Sequence, residues 1–170
     1  MTATIRPLEL QDAADVFTAV DRSRPELSRW MQWCRSSYSV LDATEWVRQS
    51  CTHHRAGSGY HFVICDEAGM VIGVVSLENV ESAAGSAMLG YWVATPAAGR
   101  GAATSAIAQV LTWASGHSDL RNVWALIAPD NVASRRAVEA NGFRLVGPVS
   151  QASPAARLRY EVTIRHEPAA

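Results

Sequence analysis

The length, composition and charge of the chain limit the classes of protein to which it can belong. Its 170 residues suffice for one domain with a full hydrophobic core and are too few for two of ordinary size, so residues 1–170 are expected to form one domain. With 48% hydrophobic and 18% charged residues the chain matches folded soluble proteins, and its balance of 15 basic against 16 acidic residues argues against a nucleic-acid or anionic-membrane surface.

Residue types that are missing or scarce exclude further classes. The chain has no lysine, which excludes Schiff-base and lysine-nucleophile mechanisms. The three cysteines, Cys34, Cys51 and Cys65, are odd in number and lack metal-ligand spacing, so neither a metal site nor a disulfide framework is expected. The N-terminal residues do not resemble a signal peptide and no apolar run reaches the length of a membrane span, which predicts a cytoplasmic protein.

Hydrophobic periodicity and turn residues predict the elements of the first half of the chain. A strand at Thr4–Leu8 precedes helices at Gln11–Ser23, Leu27–Trp33 and Asp42–His53, the last with Asp42 as its cap. Strands at Tyr60–Cys65 and Met70–Leu77 form a hairpin, and Ser86–Ala94 is the next strand.

The second half alternates helices and strands. Its predicted elements are a helix at Gly101–Gly116, a strand at Val123–Ala128, a helix at Asn131–Ala140, and strands at Phe143–Val146 and Leu158–Ile164. This order predicts an α/β fold of the mixed α+β kind, in which one mixed sheet carries helices on both faces.

The most informative segment is the glycine-containing loop at 93–104, which joins an apolar strand to the next helix. Gly99 and Gly101 allow close approach of the backbone to an anion. The unpaired N–H groups and the positive dipole end of the helix that follows favour a bound pyrophosphate. The same pattern also occurs in ordinary turns, so a second motif is needed to decide.

A second motif is present at residues 131–143. Together, the two motifs resemble the acyl-CoA site of the GNAT superfamily of N-acetyltransferases. The family pattern Gln/Arg-x-x-Gly-x-Gly/Ala corresponds to residues 98–103, with Ala98 in place of a side-chain donor. Asn131–Ser134 followed by Asn141-Gly142-Phe143 resembles the segment that completes the cofactor site. Leu27–Trp33 and Leu89–Val93 resemble the branch that acetylates the N-termini of ribosomal proteins.

The resemblance implies a fold and a co-substrate. The fold is a central, mostly antiparallel, twisted sheet of about seven strands, whose fourth and fifth strands splay apart. The co-substrate is acetyl-CoA, without a metal. The resemblance places pantetheine on backbone groups of Trp92, Val93 and Ala94, and pyrophosphate on Gly99, Arg100, Gly101, Ala102, Ala103 and Thr104, with Asn131 and Ser134 completing the site.

Direct attack of an amine on a thioester requires no enzyme nucleophile, and no serine or cysteine of the chain lies in a nucleophile elbow. Many family members use a tyrosine on the helix after the fifth strand to assist the departing thiolate, but Asn131–Ala140 contains none. The resemblance to the ribosomal-protein branch gives this role to Ser134. The alternative is a serine that caps its helix or faces solvent.

The general base is less clearly indicated. Met88 and Ser153 occupy the positions at which the branch commonly carries glutamates. Glu78 and Glu81, at the end of the third strand, are the remaining carboxylates nearest to the predicted acceptor site. Either residue could act as a base through a water molecule or contact a cationic amine. The alternative is that both are solvated surface residues. His61 is a further candidate, although a lone histidine on a strand is often structural.

Aromatic residues predict where the acceptor binds. Trp30 and Trp33 share one face of the predicted helix and line either the acceptor cleft or the core. Met88 and Tyr91 are the other expected acceptor contacts, and Trp46, Trp113 and Trp124 are assigned to packing.

The acceptor amine that the resemblance favours is a protein N-terminus. The alternatives are a small amine, such as an aminoacyl nucleotide or an aminoglycoside-like antibiotic, and a non-catalytic sensor that binds acyl-CoA. No nucleic-acid or membrane partner is expected, and a homodimer is left open.

Overall fold

A computed structural model describes residues 3–117, 119–149 and 157–166 of the chain. The strands are β1 (Thr4–Pro7), β2 (Tyr60–Cys65), β3 (Val71–Glu81), β4 (Ser86–Val93), β5 (Asn122–Ile127), β6 (Arg144–Val149) and β7 (Arg157–Thr163). The helices are α1 (Ala13–Asp21), α2 (Arg24–Leu27), α3 (Val40–Ala56), α4 (Ala102–His117) and α5 (Val132–Glu139). Short 3-10 turns lie at Leu10–Asp12 and Thr95–Ala97.

The strands form one seven-stranded sheet in the order β1-β2-β3-β4-β5-β7-β6. All neighbouring strands are antiparallel except β4 and β5. Parallel neighbours require a crossover, which α4 provides between these two strands. The predicted mixed, mostly antiparallel sheet is therefore confirmed.

Helices cover both faces of the sheet, and each face has its own buried cluster. On one face α4 and α5 cover residues such as Phe62 and Val75. On the other face α1 and α3 cover residues such as Val63 and Trp92. Side chains alternate along a strand, so consecutive residues such as Phe62 and Val63 enter different clusters. None of the described helices combines the length and apolar character of a membrane span.

The prediction of a helix at Leu27–Trp33 is wrong. The structure has the short α2 one turn earlier, followed by turns over residues 28–33. The guanidinium of Arg24 donates to the carbonyl oxygens of Arg35 at 2.6 Å and Tyr38 at 3.1 Å. These bonds hold the segment against α2, and such tertiary contacts override a local helical pattern.

The helix predicted to start at Asp42 begins at Val40 instead. Ser39 is its N-cap, since the Ser39 hydroxyl accepts from the Asp42 amide at 3.3 Å and the Asp42 carboxylate accepts from the Ser39 amide at 2.8 Å. This capping box places the aspartate in the first turn, where its charge favours the helix dipole. The helix ends at Gly57, whose φ of 69° is left-handed.

The cysteines are free thiols that belong to the packing of the fold. Cys34 and Cys65 are buried, and Cys51 is half-buried. Burial is the main cause that raises the pKa of each thiol. Because the thiolate is the nucleophilic form, these thiols are poorly suited to covalent catalysis.

Candidate active site

β4 and β5 separate partway along their length and leave a cavity between them. Their pairing ends at Met88 and Trp124. Beyond this point lies a cavity of about 670 Å³, lined by Leu89–Trp92 on one side and Ala125–Ala128 on the other. This volume is in the range of small-molecule sites. The predicted splay of the fourth and fifth strands is confirmed.

The separation leaves one edge of β4 without a strand partner in the described chain. On the opposite edge, the Ala94 amide donates to the Ile72 carbonyl at 2.7 Å. Backbone groups alternate along a strand, so Trp92 also faces β3, whereas Tyr91 and Val93 turn their N–H and C=O groups towards the cavity. Among the residues expected to hold pantetheine, Val93 therefore presents the available backbone groups, joined by Tyr91, and the Ala94 amide is already bonded within the sheet.

The loop after β4 contains two glycines in left-handed conformations. φ is 72° at Gly99 and 82° at Gly101, and a Cβ added to either would meet no atom within 4 Å. The turn therefore requires glycine, and the space above it is open. The first backbone bond of α4 joins the Ser105 amide to the Gly101 carbonyl at 2.9 Å, so the amides of residues 102–104 have no acceptor within the helix. This geometry suits a phosphate.

The side chains around this turn differ in exposure. Arg100 is exposed, Ala102 is buried, and Ala103 and Thr104 are half-buried. None of these described residues lines the cavity. The loop lies beyond the end of β4, where it is placed to hold the far end of a ligand that extends along the strand.

Two asparagines of the second sequence block have structural roles. The Asn131 Oδ1 caps α5 by accepting from the Ser134 amide at 3.1 Å, and Asn131 also lines the cavity. The Asn141 Nδ2 donates to the Thr104 carbonyl at 3.1 Å and to the Ala137 carbonyl at 2.8 Å. The second block thereby fixes α5 against the first turn of α4, which brings the two sequence motifs together.

Ser134 lines the cavity and is paired with Tyr91. The Tyr91 hydroxyl lies 3.0 Å from the Ser134 carbonyl oxygen and 2.5 Å from Ser134 Oγ. Burial raises the pKa of Tyr91 to about 12. The sequence motif predicts Tyr91 as an acceptor contact. Strand alternation is the signal that assigns its side chain to the α5 face, together with Leu89 and Val93.

A polar group lies on the other face of the sheet, where His61, Ser76 and Gly90 are neighbours on three strands. The Ser76 hydroxyl donates to Glu78 Oε1 at 2.8 Å. A Cβ built on Gly90 would lie 2.9 Å from Ser76 Oγ and 3.3 Å from Glu78 Oε1. The carboxylate therefore lies over the Gly90 backbone, in space that any other residue would fill, and it lines the cavity.

His61 is the buried neighbour of this carboxylate. It is 4% exposed, and its Nε2 lies 3.8 Å from Glu78 Oε1. Burial, followed by the proximity of His53 and His54, lowers the pKa of His61 to about 4. Its ring is therefore neutral at pH 7, so it does not neutralise Glu78. Within the described chain, its Nδ1 is buried without a hydrogen-bond partner.

The register of the sheet explains how Glu78 reaches the cavity. Glu78 lies directly opposite Met88 in the β3–β4 ladder, and residues opposite each other share a face. A carboxylate from β3 thus lies beside Met88, the position at which the resemblance predicts a glutamate on β4. Glu81 pairs with Ser86, is exposed and does not line the cavity. Ser153 lies outside the described residues.

Aromatic side chains line the side of the cavity at which the sequence predicts the acceptor, called here the acceptor side. Trp30 and Trp33 both line it, although they lie on turns and not on a common helix face. The Trp33 ring is 5.4 Å from Tyr38 and 6.3 Å from Trp92, and Trp33 remains 40% exposed. Trp46 also lines the cavity, which corrects its assignment to packing alone.

Two sequence expectations about tryptophan agree with the structure. The Trp113 ring packs 4.7 Å from Tyr60 and 5.0 Å from Phe62. The Arg159 guanidinium lies 4.6 Å above the Trp124 ring. Ser76 and Gly90 were not identified from the sequence, because their importance depends on where Glu78 lies across the sheet.

Comparison with known proteins places these features in a family. The family model for the acetyltransferase (GNAT) domain matches residues 3–144. The chain is 27% identical over 145 residues to YdaF of Bacillus subtilis, whose name places it among ribosomal N-acetyltransferases, with 82% of this chain and 76% of that protein covered. It is 26% identical over 160 residues to the ribosomal-protein-serine acetyltransferase of Escherichia coli, with 89% of each covered.

The fold has close counterparts among solved structures. RimL, a ribosomal L7/L12 alpha-N-protein acetyltransferase in complex with coenzyme A, matches with a TM-score of 0.90 at 21% identity, over 96% of this chain and 95% of that one. The splayed strands, the glycine turn before α4 and the family match over most of the chain agree with one another. The chain belongs to the acetyltransferase (GNAT) domain family.

Proposed function

We propose that the chain is a cytoplasmic, single-domain, acetyl-CoA-dependent N-acetyltransferase that acts on the α-amine of a protein N-terminus. One observation carries the proposal. The cavity between β4 and β5 has a serine hydroxyl on one face of the sheet and the carboxylate of Glu78 on the other. If a thioester lies between them, the serine hydroxyl is beside its leaving sulfur and the Glu78 carboxylate is beside the attacking amine.

The residues present fit acetyl-CoA. Gly99 and Gly101 leave open space before the unpaired amides of residues 102–104, which suits pyrophosphate. The free edge at Tyr91 and Val93 suits an extended amide-containing chain such as pantetheine. Acetyl-CoA supplies the activated acetyl group. A backbone N–H on this edge that also binds the thioester oxygen stabilises the oxyanion, an effect of roughly 3 kcal/mol in other acyl-transfer enzymes.

Glu78 is the proposed base on the acceptor side. An α-amino group has a pKa of about 8, so a modest base suffices to present it as the neutral nucleophile. The Ser76 hydroxyl fixes one carboxylate oxygen at 2.8 Å, and neutral His61 leaves the negative charge available. Glu81 has no such setting, since it is exposed and outside the cavity lining.

Ser134 is the proposed partner of the leaving thiolate. Its amide is capped by Asn131 and its hydroxyl lies at the cavity wall. A hydrogen bond donated to a charged sulfur stabilises that charge more than it stabilises the neutral thioester. The residue therefore contributes to turnover more than to ground-state binding of acetyl-CoA.

The names of the similar proteins and the shape of the acceptor side favour a protein acceptor. Both relatives described above carry names for ribosomal acetylation. The aromatic wall of Trp30, Trp33 and Trp46 suits the first apolar side chains of an extended peptide. A second candidate acceptor is a small amine with an aromatic ring, because Trp33 is 40% exposed and its ring is available for stacking.

Thiol release from acetyl-CoA with a panel of acceptors tests the proposal. Peptides with a free N-terminal serine or alanine are expected to be acetylated, whereas the same peptides with a blocked N-terminus are not. Faster turnover of small aromatic amines than of any peptide would favour the second candidate. Tight binding of acetyl-CoA without turnover of any acceptor would identify a non-catalytic sensor and overturn the proposal.

A further inference from the structure

The Tyr91 hydroxyl lies within hydrogen-bond distance of two oxygen atoms of Ser134 but has only one hydrogen to donate. The Tyr91 hydroxyl is within 3.0 Å of the Ser134 carbonyl oxygen and 2.5 Å of Ser134 Oγ. Each hydroxyl has one hydrogen to donate. The tyrosine hydrogen can therefore serve either the serine carbonyl or the serine hydroxyl, but not both.

These choices define two arrangements of hydrogens on the same heavy atoms. In the first, Tyr91 donates to the Ser134 carbonyl, and the Ser134 hydroxyl donates back to Tyr91. In the second, Tyr91 donates to Ser134 Oγ, and the Ser134 hydrogen is free to point into the cavity. Rotation of two hydroxyl groups converts one arrangement to the other without movement of the backbone.

We propose that Tyr91 is a positioning residue that acts through Ser134, an inference that rests on the proposed role of Ser134 at the thiolate. Once the amine nitrogen has bonded to the acetyl carbon and Glu78 has taken the amine proton, the carbon–sulfur bond breaks with its electron pair left on sulfur, and Ser134 turns its hydrogen to the sulfur. Tyr91 then turns its own hydrogen from the carbonyl to Ser134 Oγ. No proton leaves Tyr91, and the charge is stabilised by two hydroxyl dipoles in series.

The surroundings of the pair suit this role. Burial raises the pKa of Tyr91 to about 12, so its hydroxyl keeps its hydrogen at neutral pH. The Asn131 cap fixes the first turn of α5, which carries Ser134. The carbonyl of Ser134 keeps the tyrosine hydrogen bonded before the reaction, so no hydroxyl is left without a partner.

The first test is a double-mutant cycle on kcat. Ser134→Ala is expected to lower kcat about 100-fold, and Tyr91→Phe about tenfold, each with the KM for acetyl-CoA changed less than about twofold. In the Ser134→Ala background, Tyr91→Phe has no further effect on kcat, because the residue through which it acts is gone. Tyr160→Phe is the matched control, since its hydroxyl is buried against Glu139 and Arg135 outside the cavity.

The cycle separates failure of the inference from failure of the proposed function. An unchanged kcat in Ser134→Ala would remove the proposed role of Ser134 itself. A large loss in Ser134→Ala with wild-type kcat in Tyr91→Phe would overturn the role of Tyr91 alone. An equal loss from Tyr91→Phe in both backgrounds would also overturn it, because Tyr91 would then act elsewhere.

A second measurement does not depend on turnover. The pKa of the thiol of bound CoA is followed by NMR, with carbon-13 at the carbon that bears the sulfur. Donated hydrogen bonds favour the thiolate, so Tyr91→Phe and Ser134→Ala should both raise this pKa relative to the wild type. Tyr160→Phe should leave it unchanged, and an unchanged value in Tyr91→Phe contradicts the inference.

Discussion

The two parts of the proposed site, one beyond the end of β4 and one in the cavity, are built differently. The part proposed to bind the cofactor, called here the cofactor end, is formed mainly by backbone: the left-handed turn at Gly99 and Gly101, the first amides of α4 and the free edge of β4. The acceptor end is formed by side chains from distant elements, including Trp33, Trp46 and Glu78. One fold can thus keep a constant donor site while the acceptor site changes one side chain at a time.

The largest effect is expected from a change at the cofactor end. Gly101→Glu places a side chain and a negative charge where φ is 82° and a phosphate is proposed to bind. The affinity for CoA, measured by calorimetry, should fall about 100-fold or more because of charge repulsion and backbone strain.

Gly69→Glu is the matched control for this change. Its φ is 79° and no atom lies within 4 Å of an added Cβ, but it occupies the hairpin turn between β2 and β3 and not the loop before α4. The strain and the added charge are therefore similar in the two variants. Normal CoA affinity in Gly101→Glu, or an equal loss in Gly69→Glu, would contradict the assignment of the loop.

A change of the proposed base should affect turnover and not donor binding. Glu78→Gln is expected to lower kcat at neutral pH about 100-fold, because the amide cannot accept the proton of the amine. Acetyl-CoA affinity should stay within about twofold, since the cofactor end is unchanged. Glu81→Gln, an equal substitution on the same strand, should retain the wild-type rate, and a similar loss in both variants argues against a specific role for Glu78.

The buried histidine of the acceptor end should make stability depend on pH. Its pKa is lowered from 6.5 to about 4, so folding favours the neutral ring, and this contribution is complete above pH 6.5 and lost as the pH falls towards 4. Between pH 7 and pH 5 the loss from His61 alone is about 2 kcal/mol. Urea unfolding of the wild type and of His61→Gln, measured across this pH range, isolates the contribution of His61, since acidic groups and His54 titrate in both proteins. If the free energy of unfolding depended on pH in the same way in both proteins, the prediction would be contradicted.

The smallest effect is expected at the rim of the acceptor end. Trp33→Ala should raise the KM for a peptide acceptor about fivefold through lost contact area, without a change in acetyl-CoA affinity. Leu10→Ala, which removes another exposed apolar side chain away from the cavity, serves as the control. Steady-state kinetics with each substrate varied in turn separates the two constants.

The same division explains what the sequence could predict. Strand periodicity and the glycines on either side of Arg100 were enough to predict the strands and a glycine turn before α4, because these features depend on local backbone preferences. The splay and the assignment of the turn to a donor site came from the resemblance to the GNAT superfamily. The segment at Leu27–Trp33 has a helical pattern, but bonds from Arg24 to carbonyls that follow it in the chain impose turns. No local pattern contains that contact.

The candidate catalytic groups show the same limit. Ser134 was identified through a motif, and the structure places it at the cavity. Its contact with Tyr91 required knowledge that β4 and α5 meet across the splay. Likewise, the setting of Glu78 depends on the register of three strands, which brings Ser76 and the bare backbone of Gly90 beside it.

The hydrogen bonds of Asn141 tie α4 and α5, the two helices of the proposed donor site, to each other. Its side chain joins the Thr104 carbonyl in the first turn of α4 to the Ala137 carbonyl of α5. The amides proposed to bind the phosphates and the hydroxyl proposed to meet the sulfur are thereby held at a fixed spacing. When a long, flexible donor binds by its phosphate end, this fixed spacing also positions its reactive end.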